Sequence, residues 1–282
     1  MTRGVPFVKG HGTENDFVLL PDPDGTRHAD LDAGTVRRLT DRYTGVGGDG
    51  VIRVVRSRDL TAGQDIAAEA EWFMDYRNAD GSVAEMCGNG VRVIARYLWA
   101  TGLATGQELA IGTRGGVRMV RQQPDGSVTA EMGRPQHVRP AVPVQVAVGD
   151  GAWPAEAVFV PNPHAVVFVD ALDDAGRLLE PPTVTPESVF PDGANVEFVV
   201  GRGDRHIALR VWERGVGETR SCGTGVCAAA WAAMRRDDAA PGTSCTVDVP
   251  GGRLVVTERA DGVLLLTGPA VLGLAGQITL PM

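Results

Sequence analysis

Met86-Cys87-Gly88-Asn89-Gly90-Val91 and Ser221-Cys222-Gly223-Thr224-Gly225-Val226 are the two stretches that decide the fold. Each sets a cysteine directly before G-x-G-V and leads into a helical pattern, the first running to about Trp99 and the second to about Met234. The cysteines stand 135 residues apart (222 − 87), close to half of the 282-residue chain. A second echo lies upstream of each: Asn15 with His11 in the first half, Asn162 with His164 in the second. One C-G-x-G-V would be a weak signal. Repeated, with a helix after it and an asparagine before it, it reads as an internal duplication.

The two helices carry different patterns. Val226 to Met234 is nine uninterrupted apolar residues, closed by Arg235 and Arg236. A helix apolar on every side must be buried on every side, and the two arginines complement the negative end of its dipole. The first helix has Val91, Ile94 and Leu98 on one stripe, with Arg92 and Arg96 interrupting. Around them the sequence reads as short strands. In the first half these are Val5–Leu20, Gly50–Val55, Ala70–Tyr76, Gly116–Arg121 and Val128–Glu131. In the second they are Ala157–Val160, Ala165–Val169, Val196–Val200, Ile207–Trp212, Cys245–Val249, Arg253–Thr257 and Val263–Thr267. The polar segment Arg56–Gln64 is expected to be an exposed loop, and the Pro- and Gly-containing stretch Met132–Pro154 a bridge between lobes. A central helix wrapped by antiparallel strands, once per lobe, satisfies both halves.

Composition narrows the function classes. With 43% hydrophobic and 22% charged residues the chain is an ordinary globular one, and its 18 prolines and 37 glycines fit many turns between strands. A net charge of −8 argues against nucleic acid as a partner. No stretch of about 20 apolar residues could span a bilayer, and Met1 to Lys9 holds no apolar core of signal-peptide length. A cytoplasmic location with no membrane partner is the expectation. The four cysteines, at 87, 222, 227 and 245, include no CxxC pair and are read as thiols rather than a disulfide framework.

Position makes two of these thiols chemical. Amide N–H groups and the dipole at a helix start stabilise anions, favour a thiolate, and can receive a carboxylate that glycine lets approach closely. Gly88-Asn89 and Gly223-Thr224 thus form two N–H clusters able to hold one α-carboxylate. Two thiols acting on opposite faces of one α-carbon make a stereoinverting acid–base pair: one removes the proton, the other returns one. Cys227, inside the apolar helix, and Cys245, in a strand-like segment, read as small buried hydrophobes. Asn78 precedes Cys87 by nine residues, as Glu213 precedes Cys222. Arg214 is either a surface arginine or a clamp on a carboxylate, a task to which its planar fork is suited. Asn15, Asn78, Asn162 and Asn195 are each either turn residues or ligand contacts. His164 either tunes a thiol or is structural.

These motifs resemble those of the diaminopimelate epimerase family over nearly the whole chain. The resemblance rests on six segments in the same order: His11–Phe17, Gly45–Gly50, Asn78 through Gly90, Asn162-Pro163-His164, Asn195-Val196, and Glu213-Arg214-Gly215 through Gly225. It implies an α+β fold of two pseudo-symmetric lobes, each a curled, mainly antiparallel sheet around a central helix. Residues 1–131 would carry Cys87, residues 132–271 Cys222, and a final strand over 272–282 would return to the first lobe. It further implies interconversion of LL- and meso-diaminopimelate, for lysine and peptidoglycan biosynthesis, with no cofactor or metal, by a homodimer. Cys87 and Cys222 become base and acid, and Gly88, Asn89, Gly223 and Thr224 hold the reacting carboxylate. Asn15, Asn78, Asn162, Asn195 and Arg214 bind substrate, Arg214 at the distal carboxylate, with His164 and Glu213 beside the thiols and the amino group. Two positions depart from the family pattern: Glu14 stands where many relatives have Gly, and Gly50 where many have Gln. A related two-cysteine racemase for another amino acid is the nearest rival. A pyridoxal-phosphate racemase needs a Schiff-base lysine, and Lys9 is the only lysine in the chain. A non-enzymatic amino-acid-binding protein would leave the paired cysteines unexplained.

Overall fold

The computed structural model describes residues 4–28, 31–138, 140 and 142–279. Two compact units emerge, one taking in the chain up to Ala130 together with the stretch from Pro269 onward, the other Glu131–Gly268. In the first unit β1 (Val5–Gly12), β2 (Asn15–Pro21), α1 (Ala33–Thr40), β3 (Gly50–Arg56), β4 (Trp72–Asn78), α2 (Gly88–Ala100), β5 (Glu108–Thr113), β6 (Gly116–Gln122) and β7 (Val128–Gly133) follow in order. The second continues with β8 (Gln136–Val138), β9 (Val144–Val148), β10 (Gly151–Val160), β11 (Asn162–Phe168), β12 (Thr183–Thr185), β13 (Asn195–Gly203), β14 (His206–Glu213) and β15 (Gly217–Thr219). It ends with α3 (Gly223–Arg236), β16 (Ser244–Val249), β17 (Gly252–Glu258) and β18 (Leu264–Gly268). The last strand, β19 (Val271–Ile278), pairs antiparallel with β1 of the first unit. Residues 280–282 of the expected final strand lie outside the described residues.

The duplication read from the cysteines is written into the sheet topology. From β1 to β7 the successive pairings are antiparallel (β1–β2), parallel (β2–β3), antiparallel (β3–β4), parallel (β4–β5), then antiparallel twice (β5–β6, β6–β7). The second unit repeats this sequence through β10, β11, β13, β14, β16, β17 and β18. In each unit the long helix lies in the crossover before the second parallel pairing. The fold is α+β, with antiparallel pairings in the majority.

The strands of each unit wrap its helix. α2 packs against β1–β6 and β19, and α3 against β10, β11, β13, β14 and β16–β18. The expectation of all-round burial holds for α3: Val226, Cys227, Ala228, Ala229, Ala230 and Ala232 have no exposure, and Trp231 is half-buried. Alanine has the highest helix propensity, and its single methyl lets strands approach the helix axis on every side. The central strands are buried on both faces, as in the BBBBBB run opening β3, while β7 and β18 alternate. Each Val, Leu or Phe side chain taken out of water here contributes roughly 1.5–3 kcal/mol.

Local chemistry corrects several sequence expectations. The run Val5–Leu20 is two strands, because Thr13 and Glu14 take φ of +49° and +61° and close a two-residue hairpin between Gly12 and Asn15. Segment Arg56–Gln64 is largely exposed, as expected, but it is not an irregular loop: it enters two 3-10 turns, Ser57–Asp59 and Thr61–Ile66, with only Ser57 and Gly63 buried among residues 56–64. The stretch 132–154 is largely strand, covering the end of β7, all of β8 and β9, and the start of β10; residues 139 and 141 within it lie outside the described residues. Helix α1 was not foreseen, although Asp32 caps it by accepting the Thr35 amide at 2.9 Å. No helix among the described residues is long and apolar enough to cross a membrane.

The encirclement of α3 makes a direct prediction. Ala230→Leu should destabilise the protein by about 1–3 kcal/mol through overpacking, read as a lower urea midpoint with an unchanged slope.

Candidate active site

Cys87 and Cys222 are the N-cap residues of α2 and α3, each with extended backbone angles (φ −139°, ψ 119° and φ −115°, ψ 113°). The helical ladders begin with Val91 N on Cys87 O and Val226 N on Cys222 O, both at 2.9 Å. The amides of the three residues before each are not used by the helix. At Cys87 one of them is turned on the sulfur, with Gly90 N 3.4 Å from Sγ. At Cys222 the sulfur lies 3.4 Å from the Thr224 hydroxyl. All four cysteines are thiols.

In the first unit the hairpin sets Asn15 at the start of β2, with its Oδ1 3.7 Å from Cys87 Sγ and accepting from Asn89 Nδ2 at 3.1 Å. Its own Nδ2 donates to Asp49 at 2.8 Å, which fixes the amide's orientation. Asn89 is in turn held by Arg92, whose Nη2 donates to Asn89 Oδ1 at 2.9 Å while Nη1 reaches Gly88 O at 3.3 Å. Arg92 has no exposure at all. Asp49 belongs to a charge network with Arg42, Asp16 and Lys9. Burial raises the Asp49 carboxyl, with Asp16 adding to the rise and the Asn15 bond opposing it. Burial would raise Asp16 as well, but hydrogen bonds from Arg42 and Lys9 outweigh it and bring it down to about 2. Asn78, at the end of β4, turns its amide onto Ser82 Oγ at 3.0 Å.

In the second unit Asn162 and His164 open β11, and parallel pairing sets His164 beside Asn195 of β13. His164 is fully buried, its Nδ1 2.7 Å from Glu197 Oε1 and its Nε2 3.0 Å from Asn162 Oδ1. Asn195 Oδ1 accepts the Arg214 amide at 2.8 Å. The exposed Arg214 guanidinium rests on the carbonyls of Asp192 (3.0 Å) and Gly193 (3.4 Å). Glu213 accepts from Thr219 Oγ1. Burial pushes the Cys222 thiol well up from its ordinary value, and the carboxylates of Glu213 and Glu197 push it further, against the Thr224 hydroxyl.

Thus the first unit gathers Asn15, Cys87, Gly88 and Asn89, with Asn78 at the end of β4. The second gathers Asn162, His164, Asn195, Glu213, Arg214, Cys222, Gly223 and Thr224. Sequence reasoning did not single out Glu197, Arg92 or Asp49. Glu197 carried a signal, since a charged residue two places after Asn195 in an apolar strand shares its face. Arg92 read as an interruption of the helix stripe, and only tertiary structure shows it buried.

The fold is shared with solved proteins of low sequence similarity. A phenazine biosynthesis protein of the PhzF family from Bacillus anthracis superposes with a TM-score of 0.71 at 17% identity, covering 99% of this chain and 100% of its own. A hydroxyproline epimerase from Agrobacterium vitis gives 0.71 at 16% identity, covering 99% and 93%. At such identities the likeness defines the fold alone. Sequence is more specific. The pattern described as diaminopimelate epimerase matches residues 7–138 and 157–273. The diaminopimelate epimerase of Streptomyces coelicolor is 57% identical over 98% of this chain and 96% of its own, and that of Thermobifida fusca 48% identical over 97% and 98%. The chain belongs to the diaminopimelate epimerase family.

The two positions expected from the resemblance to depart from the family pattern have structural sides. Glu14 occupies the left-handed region where glycine is at ease. At Gly50 an added Cβ would stand 2.5 Å from both Arg77 O and Tyr76 Cε2. Gly50→Gln should therefore lose about 1–3 kcal/mol of stability, visible as a lower melting temperature.

Proposed function

We propose that the chain interconverts LL- and meso-diaminopimelate by proton transfer at the α-carbon, with Cys87 and Cys222 as the acid–base pair and without a cofactor. The observation that carries the mechanism is the repeat itself: each unit buries one long helix and caps it with a cysteine. A single base tends to return the proton to the face it left, whereas inversion requires a base and an acid on opposite faces. One thiolate takes the α-proton and becomes a thiol, and the electron pair stays on carbon. The other thiol then gives its proton to the opposite face and becomes the thiolate. The amides at Gly88-Asn89 and Gly223-Thr224 stabilise the α-carboxylate and the charge developing beside it. Asn15, Asn78, Asn162, Asn195 and Glu213 bind the rest of the substrate, Arg214 takes the distal carboxylate, and His164 supports the Cys222 side. The reaction serves lysine and peptidoglycan biosynthesis, in the cytoplasm, and the working form is a homodimer.

Cys87→Ala and Cys222→Ala should each abolish epimerisation of LL-diaminopimelate followed by chiral chromatography, while Cys227→Ala keeps most of it. Normal turnover by either of the first two would refute the two-base assignment.

Arg214→Ala should lower kcat/KM for diaminopimelate by about 2 kcal/mol, roughly thirtyfold, the low end for a charge that loses its partner because this guanidinium is exposed. The loss should fall mainly on KM, since the cysteines stay in place. A wild-type preference for a monocarboxylate amino acid would instead favour the related-racemase reading.

A further inference from the structure

The strand registers align the two units residue by residue. Ile52 of β3 faces Tyr76 of β4, eleven residues before Cys87 (87 − 76). Glu197 of β13 faces Val211 of β14, eleven residues before Cys222 (222 − 211). Ile52 and Glu197 therefore hold the same place in the repeat. They also meet the same helix position: a Cβ at Gly90 would stand 3.1 Å from Ile52 Cδ1, and one at Gly225 would stand 2.5 Å from Glu197 Oε1.

The first unit closes this place with carbon, and the second puts a carboxylate there. Glu197 has no exposure, its Oε1 is 2.7 Å from His164 Nδ1, and its Oε2 has no hydrogen-bond partner among the described residues. A buried carboxylate with an unsatisfied oxygen is costly, and an isoleucine fills the equivalent place in the first unit, so packing alone does not call for it. With oxygens on both ring nitrogens, the His164 imidazole is fixed in its plane.

We propose that Glu197 is a positioning residue: it holds His164 through Nδ1 and, seated against the first turn of α3, adds to burial in making Cys222 the cysteine that carries the proton at rest. This rests on the two-cysteine reading above. Cys222 feels the charges of Glu213 at the end of β14 and Glu197 of β13 and bonds to Thr224 of its own helix, with His164 of β11 held by Glu197. Both carboxylates oppose a thiolate, and Glu197 is the one bound to no substrate role. The equivalent position in the first unit carries no charge, so the two heads of the repeat are chemically unequal.

The test is thiol alkylation by iodoacetamide across a pH series, with the modified peptides mapped by mass spectrometry. Access to the buried Cys222 sets the limiting rate, whereas protonation sets the pH midpoint, so the midpoint is the readout. In the wild type the Cys222 midpoint should lie above the ordinary thiol range of about 8.5. In Glu197→Gln it should fall, while that of Cys87 stays unchanged. Glu197→Ile, which copies the other half of the repeat, should behave alike and serves if the glutamine variant does not fold. A wild-type midpoint in the ordinary range, or one that ignores both substitutions, overturns the proposal. Alkylation uses no substrate, so its result stands apart from epimerisation of diaminopimelate. A protein that epimerises with a Cys222 midpoint indifferent to Glu197 refutes only the role of Glu197. A responsive midpoint in a protein that does not epimerise refutes the function instead.

Discussion

The structure depends on one constraint: a long helix must be buried on nearly all sides, yet its N-terminus must be left to meet a charge. The first turn of a helix holds amides that its own ladder cannot use. Inside a curled sheet they would be costly unless something occupied them. Here a cysteine caps each helix, with glycines at the second and fourth positions of C-G-x-G, so backbone and sulfur share the space that larger side chains would fill. The same feature that would be a folding problem in a closed core leaves amides beside each cysteine, one of which, Gly90 N, lies on the Cys87 sulfur. Both units solve it with the same order of strand pairings, and the chemistry comes with the solution.

What the sequence revealed and what it hid follow from the range of the interactions. The cysteines were legible because their environment is local: the glycines, the helix start and the repeat all lie within a few residues of Cys87 and Cys222. The apolar run Val226–Met234 declared its burial, since no face of it could meet water. Asn15 was legible as an echo upstream of the cysteine, but not the turn that sets it 3.7 Å from the Cys87 sulfur, because nothing in Thr13-Glu14 advertises two positive φ values. Glu197 escaped notice because its partner, His164, lies 33 residues away and only the parallel pairing of β11 with β13 brings the two strands side by side. Arg92 escaped for the same reason, as its burial depends on Asn89 and on the β1–β2 hairpin.

The repeat keeps the order of strand pairings and is broken in charge. At equivalent places the first unit has Ile52 and the second Glu197; five residues after each cysteine the first has a buried arginine, Arg92, and the second a buried cysteine, Cys227. The duplicated fold supplies two alike helix-capping cysteines, whereas the proposed reaction, which takes a proton on one face and gives it on the other, starts from unlike protonation states. Charge placed at the helix heads, where the interior amplifies it, provides that difference without altering the backbone.

The central claim is that two thiols act on opposite faces of one α-carbon, and the fate of the substrate's own proton tests it most directly. LL-diaminopimelate is incubated with the protein in deuterated water, and substrate and product are separated early, before the reverse reaction matters. The account predicts that each meso product carries deuterium at the inverted carbon, because the donor thiol has exchanged with solvent, while unreacted LL substrate retains its hydrogen. Meso product that keeps the original proton would mean that a single base removes and returns it, and the paired-cysteine mechanism would be wrong.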